Sequence, residues 1–284
     1  MKVEITHPDK VLFPKGKITK KEFADYYAAA ARLMVPHLKN RPLSMKRYPK
    51  GIKQPGFFQK NAPQGMPSWV KTVKIGKKEG GAIDMILCND KNSLLWLANQ
   101  NCIAPHIWLS RVDKPDHPDR LIFDLDPPSG KDFASVVEAA LLLRKILEKK
   151  HKLKTFVMTT GSKGLHVVVP IKRTRTYDEV REFAKEVAEE LTKEDPKKYT
   201  TAVRKEKRRG RIYIDVMRNS HGATAVAPYS ARPREGAPIA TPLNWAELKS
   251  PSLRSDSYNI RNIKPRLRKN PWSRMEASAK VLSP

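Results

Sequence analysis

A chain of 284 residues can bury a substantial core, either as one large α/β or α+β domain or as two small ones. Lys and Arg number 56 against 29 Asp and Glu, and this formal net charge of +27 favours a polyanionic partner, while 39% hydrophobic residues in amphipathic segments exclude a disordered chain. No apolar run approaches the ~18–20 residues of a membrane span, and the first residues lack the apolar core of a secretory signal, so a cytoplasmic location is expected.

Thr19 opens the first predicted helix, which runs to about Leu33, with Glu22 placed to complete a capping box. From Arg41 to Asn61 short apolar pieces broken by Pro and Gly predict strands and exposed turns in which basic and aromatic residues alternate. Two β-prone runs around the 77–81 stretch predict a hairpin with a basic tip, and 92–101 reads as a short helix. Cys88 and Cys102 form no CxxC pair, so neither a disulfide framework nor a four-ligand zinc site is suggested, and both are expected to be reduced, semi-buried packing residues. The run LIFDLDPPSG predicts a strand, then a helix from about Ala134 to Lys150 striped by Val136, Val137, Ala140, Leu141 and Leu147. TFVMTT and LHVVVPI predict two strands joined by a GSKG turn. A helix capped by Thr176 and Glu179 follows, burying Val180, Phe183, Val187 and Leu191. RIYIDVM and ATAVAPYS are the last strong strands before an irregular, basic, Pro-rich end. No internal repeat or low-complexity linker divides the chain, so the expected fold is α+β around a largely antiparallel sheet.

In Asp124-Leu125-Asp126, alternation along a strand sends both carboxylates to one side, with Cα atoms roughly 7 Å apart. Acids inside an apolar strand are costly unless metal, cations or hydrogen bonds compensate them. Asp215 repeats the pattern in a second apolar strand. Three such acids supply enough hard oxygen ligands for two divalent cations, which suits phosphoryl transfer. A strand-borne DxD also occurs in aspartate-nucleophile phosphatases, but there the pattern continues DxDxT, and here Pro128 takes the Thr position. Ordinary surface salt bridges are the bland reading of any lone DxD.

The segment TTGSKGLHV offers the Thr160 and Ser162 hydroxyls, the Lys163 cation, two glycines that let backbone amides approach an anion, and His166 on the outgoing strand. The Walker A spacing is absent, which disfavours a P-loop NTPase. Taken alone the segment is a plain hairpin turn followed by a core histidine; beside three acids its polar groups share one explanation, phosphate binding.

The strings DKVLFP, KRYPKGIKQPGFFQKN, LIFDLDPP, TGSKGLHVVVP, YIDVMRNSHGATAVAPYSARP and YNIRNIKPRL extend from Asp9 to Leu267. In them the chain resembles the polymerase domain of bacterial-type ligase D, the end-joining branch of the archaeo-eukaryotic primase superfamily. The resemblance implies a primase-like (RRM-like) catalytic sheet with flanking helices and an N-terminal α/β subregion. It implies a single domain, 1–284, comprising 1–115 with DNA-end contacts, a catalytic core at 116–250 and a basic extension at 251–284. Its metal acids fall on Asp124, Asp126 and Asp215, and its nucleotide contacts on Lys46, His106, Thr160, Ser162, Lys163, His166 and Arg232. A pocket for a recessed 5′-phosphate falls on His7, Lys10 and Lys20, and a template-stacking aromatic pair on Phe57 and Phe58, of which one at most is expected to be buried. Position 7 is His where Asn is common, and 218 is Arg where Gln also occurs.

The resemblance further implies two Mn2+ or Mg2+ ions, NTP or dNTP substrates with ribonucleotides preferred, gap filling and terminal addition at double-strand breaks, and Ku and a ligase as partners near the nucleoid. The ligase and phosphoesterase modules that often share the polypeptide are missing, so the chain is either a stand-alone enzyme or an excised domain. The alternatives are a primase that starts primers de novo, an aspartyl-phosphate phosphatase, and an architectural DNA binder with a dead site; three intact acids argue against the last. Between Lys193 and Arg211 lie nine basic residues and three acids, and Arg204 and Arg208 in this run are expected to track the template backbone. Arg261 to Arg274 carries six basic residues and no acid, a second candidate backbone surface.

Overall fold

Side-chain caps set where the helices begin in the computed structural model, which describes residues 3–76, 80–130 and 132–282. Strands β1 (Val11–Phe13) and β2 (Ile18–Thr19) lead into α1 (Lys20–Leu38), whose first turn donates the Glu22 N–H to the Thr19 hydroxyl. The Glu22 carboxylate, expected to complete a capping box, is taken by the Arg261 guanidinium at 2.6 Å instead. The helix outruns its predicted end because Leu33, Met34, His37 and Leu38 are buried; Pro36 inside it forfeits one N–H without breaking it.

Strands β3 (Leu43–Arg47), β4 (Phe57–Gln59), β5 (Thr72–Gly76) and β6 (Ala82–Ile86) follow. The predicted hairpin forms between β5 and β6, with its basic tip, residues 77–79, outside the described residues. Helix α2 (Lys91–Asn99) is capped by Asp90, and β7 (Cys102–Ile107) ends this stretch.

Next come β8 (Arg120–Asp126), α3 (Phe133–Lys145), continued by one wider turn over Ile146–Lys150, then β9 (Phe156–Thr159) and β10 (Leu165–Pro170). In α3 the buried stripe is Phe133, Val136, Ala139, Ala140 and Leu143. Leu141, expected inward, is exposed and Val137 half-buried, because both sit about 100° round the helix from Val136 and Ala140. Helix α4 (Tyr177–Glu194) has the full predicted capping box between Thr176 and Glu179. Phe183 is half-buried, edge-on to His151 with ring centres 5.1 Å apart.

Strand β11 (Tyr199–Thr200), the short helix α5 (Lys205–Arg208) and β12 (Ile212–Asp215) precede β13 (Ala225–Val226) and β14 (Pro242–Leu243). Only two residues of the expected ATAVAPYS strand pair regularly, since the chain turns at Tyr229 with φ +66°.

The chain divides into two units. The first contains the described residues up to Asp113, with Thr224–Ala240 and Tyr258–Asn270; the second contains Lys114–Ala223, Thr241–Ser257 and the described residues from Pro271. The tail beyond residue 250 is therefore shared between both units. The first unit holds an antiparallel sheet in the order β13-β7-β3-β6-β5, with β4 also on β3. Its helix α1 is tied to buried backbone by the Tyr27 hydroxyl on Ile103 O at 2.7 Å and the Tyr26 hydroxyl on Tyr229 O at 2.6 Å. Cys88 and Cys102 are fully rather than partly buried in this core; burial pushes the Cys102 thiol up to about 12 and Cys88 also upward, so both are inert hydrophobes.

The second unit holds the sheet β11-β12-β8-β10-β9-β14, antiparallel except for the β11/β12 pair. Helices α3 and α4 pack on β8. Leu121, Phe123 and Leu125 are fully buried, and alternation leaves Asp124 and Asp126 on the opposite side of the strand. The fold is α+β with largely antiparallel sheets, as expected.

Candidate active site

Register in the second unit's sheet builds the site. Asp124 on β8 stands opposite Asp215 on β12 and opposite His166 on β10, so one row crosses three strands. Asp126, two residues along the same face, stands opposite Tyr213. Opposed Cα atoms in antiparallel strands lie about 4.5–5.5 Å apart, close enough for the carboxylates of Asp124 and Asp215 to share a ligand.

Asp124 is buried, with one oxygen 3.4 Å from His166 Nε2 and the other 3.6 Å from Arg218 Nε. Asp215 accepts the Met217 N–H at 2.8 Å and also binds the Tyr213 hydroxyl. Burial, reinforced by the charges of Asp124 and Asp215, raises the Asp126 carboxyl to about 6; His166 and Arg208 oppose the shift. Burial likewise raises Asp215, with the Met217 N–H opposing.

Among the described residues no three His, Cys, Asp or Glu side chains are gathered tightly enough to hold an ion as oriented. Two of the three carboxylates are turned onto protein donors, as repelling anions turn when protein cations and N–H groups are the partners at hand. The donor set nonetheless fits a hard divalent cation: three carboxylate groups on adjacent strands, with the charged form of Asp126 made costly by burial and by the charges of Asp124 and Asp215, a cost that a cation would offset.

Asp126 also forms one wall of a cleft of about 310 Å³ whose other walls are Pro127, Pro128, Lys163, Lys205, Arg208, Gly210 and Arg211. Arg208 packs its guanidinium 3.8 Å from the Tyr213 ring centre and donates to Ala202 O and Val203 O, which fixes its charge beside Asp126. Arg204 is exposed at the start of α5.

Two residues hold this geometry: Asn219, which sequence reasoning passed over, and Gly164, which it read only as letting the backbone approach an anion. Asn219 is fully buried; its amide accepts the Ile122 N–H at 2.8 Å and donates to Ile122 O at 2.8 Å and Val216 O at 2.9 Å. The turn after Asp215 is thereby stitched to the strand that carries Asp124. Gly164 leaves no room for a side chain, since a Cβ there would collide with the Leu125 carbonyl between the two aspartates. A glycine in GSKG was a visible signal for close approach; nothing local marked Asn219.

Of the expected nucleotide contacts, Thr160, Ser162, Lys163 and His166 lie in this unit. Lys163 is exposed and Ser162 half-buried, while Thr160 is buried with its hydroxyl committed inside the turn. Lys46, His106 and Arg232 lie in the first unit. There Lys46 Nζ donates to Gly56 O at 3.2 Å and sits 4.4 Å from the Phe58 ring centre; Phe58 stands edge-on to His106 at 5.1 Å.

Phe57 and Phe58 are both exposed, at 47% and 52%, because β4 pairs only with β3 and both its faces stay open there. Backbone bonds link His7, Lys10 and Lys20: Lys10 N–H closes a turn on His7 O at 3.1 Å, and Lys20 N–H, at the start of α1, bonds Lys10 O at 2.8 Å. Lys20 is buried with Nζ on the Thr6 hydroxyl; burial, then the charges of Lys10 and Arg47, lower its amine to about 8.

Comparison with known proteins gives the class first. Residues 19–272 match the family described as LigD, primase-polymerase domain. The solved polymerase domain from Mycobacterium tuberculosis ligase D in complex with DNA matches with a TM-score of 0.91 at 33% identity, over 98% of this chain and 99% of that one. The class is a nucleotidyltransferase with polymerase activity.

The chain is 35% identical over 255 residues to the multifunctional non-homologous end joining protein LigD of Mycolicibacterium smegmatis, covering 89% of this chain. Against the bifunctional LigD of Bacillus subtilis it is 34% identical over 269 residues, 94% of this chain. It spans 33% and 43% of the length of these two relatives. The chain belongs to the LigD primase-polymerase domain family. Among its described residues no helix is long and apolar enough to cross a membrane.

Proposed function

We propose that this chain extends primer 3′-ends and fills gaps at broken DNA ends during non-homologous end joining, using Asp124, Asp126 and Asp215 to hold two divalent cations, Mn2+ or Mg2+. The observation that carries this reading is the juxtaposition of the Asp124–Asp126–Asp215 carboxylates with a cleft walled by Lys163, Lys205, Arg208 and Arg211. When bound, such cations lower the pKa of an attacking hydroxyl and neutralise the leaving oxygen.

The protein side of the chemistry is positioning and charge. Asp124, Asp126 and Asp215 fix where the cations sit. Lys163, Arg208 and Arg211 receive the anionic phosphates and the pyrophosphate that leaves. Ser162 lies in the turn of Lys163 and His166 on the strand that follows it, and Lys46, His106 and Arg232 carry the nucleotide-contact role that the family resemblance implies. His7, Lys10 and Lys20 seat a 5′-phosphate: an anion there offsets the burial and, after it, the Lys10 and Arg47 charges that lower Lys20. A seat for a downstream 5′-phosphate favours gap filling over de novo priming. Phe57 and Phe58 offer exposed faces on which an unpaired template base stacks, worth ~1–3 kcal/mol per base. Arg204 and its basic neighbours track the template backbone.

The same proposal takes the chain as one functional domain with 1–115, 116–250 and 251–284 in the roles expected above. Ribonucleotides are the preferred substrates. Ku, a ligase and a phosphoesterase are the partners, as separate chains or as modules outside this sequence. The test is extension of a gapped, 5′-phosphorylated duplex with ribonucleotides and Mn2+. Wild type is expected to extend it and the Asp124→Ala, Asp126→Ala double variant is not; equal extension by both, or none by the wild type, sinks the mechanism.

A further inference from the structure

The GSKG turn is held from a distant part of the chain. Gly164 O has three donors within reach: Thr160 N–H at 3.0 Å, the Thr160 hydroxyl at 3.2 Å and the Ser255 hydroxyl at 2.9 Å. The Gly164 N–H returns to the Thr160 hydroxyl at 3.2 Å, and the two hydroxyls lie 3.2 Å apart. One arrangement satisfies every proton. Ser255 donates to Gly164 O, Thr160 donates to Ser255, and Gly164 donates to Thr160.

Both hydroxyls are at least nine-tenths buried, so the knot is shielded from water, which strengthens each bond and makes a missing one costly. Gly164 is pressed against the Leu125 carbonyl between the catalytic-strand aspartates, so the knot fixes two things together. It sets the loop that presents Ser162 and Lys163, and it sets that loop's seat on the strand of Asp124 and Asp126.

We propose that Ser255, acting through Thr160 and the Gly164 carbonyl, is a positioning residue that sets this enzyme's affinity for nucleoside triphosphate. The inference rests on the reading that Ser162 and Lys163 meet the triphosphate. Thr160 then belongs to the support of that contact, since its hydroxyl is consumed within the knot. Ser255 itself touches no substrate; its effect falls on binding, with the carboxylates that carry the chemistry left in place.

The experiment measures KM and kcat for ribonucleotide extension, and ATP binding by calorimetry with Mn2+, in the full chain. Ser255→Ala is expected to raise KM and the ATP dissociation constant about three- to tenfold, the consequence of one lost neutral hydrogen bond, with kcat within about twofold. Ser255→Thr keeps the hydroxyl and is expected to restore both. Lys163→Ala serves as the reference for the underlying reading. If Lys163→Ala weakens ATP and Ser255→Ala does not, the positioning role is overturned while the turn remains the triphosphate site. If Lys163→Ala changes nothing, the turn is not that site and the positioning role falls with it. Should Ser255→Ala fail to fold, Thr160→Val, similar in shape without the hydroxyl, is expected to give the same rise in KM; an unchanged KM contradicts the proposal.

Discussion

In the proposed metal site Asp126 would be needed in the charged form that the fold resists. Its carboxyl titrates near about 6 in the folded chain, against ~3.9 for an unfolded aspartate. A raised folded value means that the charged form is penalised, so the cost begins above pH ~4 and is complete above pH ~6. Without metal, Asp126→Asn is therefore expected to stabilise the chain at pH 7.5 by about 1–2 kcal/mol, after discounting for its partial exposure. Urea unfolding reads this directly. Excess Mn2+ is expected to reverse the order, stabilising the wild type while leaving the variant nearly unmoved.

Lys20 shows the opposite sign. Its amine, lowered to about 8 by burial and by Lys10 and Arg47, is penalised when charged, a cost present below pH 8 and relieved as pH rises toward ~10.4. A bound phosphate offsets that cost only while the amine is protonated. Preference for a 5′-phosphorylated over a 5′-hydroxyl end is expected to fall severalfold from pH 7 to pH 9, by fluorescence anisotropy. In Lys20→Gln it is expected to be weak at both; a pH-independent preference contradicts the seat.

At the scale of elements, the stitch through Asn219 ties β12 to β8 with side-chain bonds that imitate a strand. Asn219→Asp cannot donate to Ile122 O or Val216 O and is expected to cost about 2–4 kcal/mol, since buried backbone groups lose their partners. Gly164→Ala is expected to cost about 1–3 kcal/mol or more by forcing β10 away from the Leu125 carbonyl. Chemical denaturation of each variant checks both.

Sequence made some of this legible. Asp124 and Asp126 share a face because a strand has period two, a local rule, and Thr176 with Glu179 caps α4 for an equally local reason. What escaped depends on partners far along the chain. Glu22 was free to cap Thr19 until Arg261 took it. The direction of the Thr160 hydroxyl depends on Ser255, and the partnering of Asp215 with Asp124 depends on a register that no local pattern sets. The overrun of α1 past Pro36 follows from burial of Leu33, Met34 and Leu38, which outweighs one lost hydrogen bond.

At the scale of the whole molecule, a net charge of +27 makes sequence-independent attraction to DNA strong, and counterion release makes it salt-dependent. The 204–211 run concentrates that charge beside the aspartates. Reversing Lys205, Lys207 and Arg209 to Glu is expected to weaken DNA binding at 100 mM salt by tenfold or more. It is also expected to flatten the plot of log affinity against log salt by roughly one unit for each phosphate that the chain no longer neutralises. An unchanged slope with unchanged affinity removes this run from the DNA surface.

Cation binding by the three aspartates is read without recourse to turnover by Mn2+ titration followed by electron paramagnetic resonance, with a nonhydrolysable nucleoside triphosphate present. Two bound ions per wild-type chain are predicted, as is loss of protein-bound Mn2+ beyond that carried by the free nucleotide when Asp124, Asp126 and Asp215 are all changed to Ala. Equal Mn2+ binding by the wild type and the triple variant would contradict a metal site built on these carboxylates.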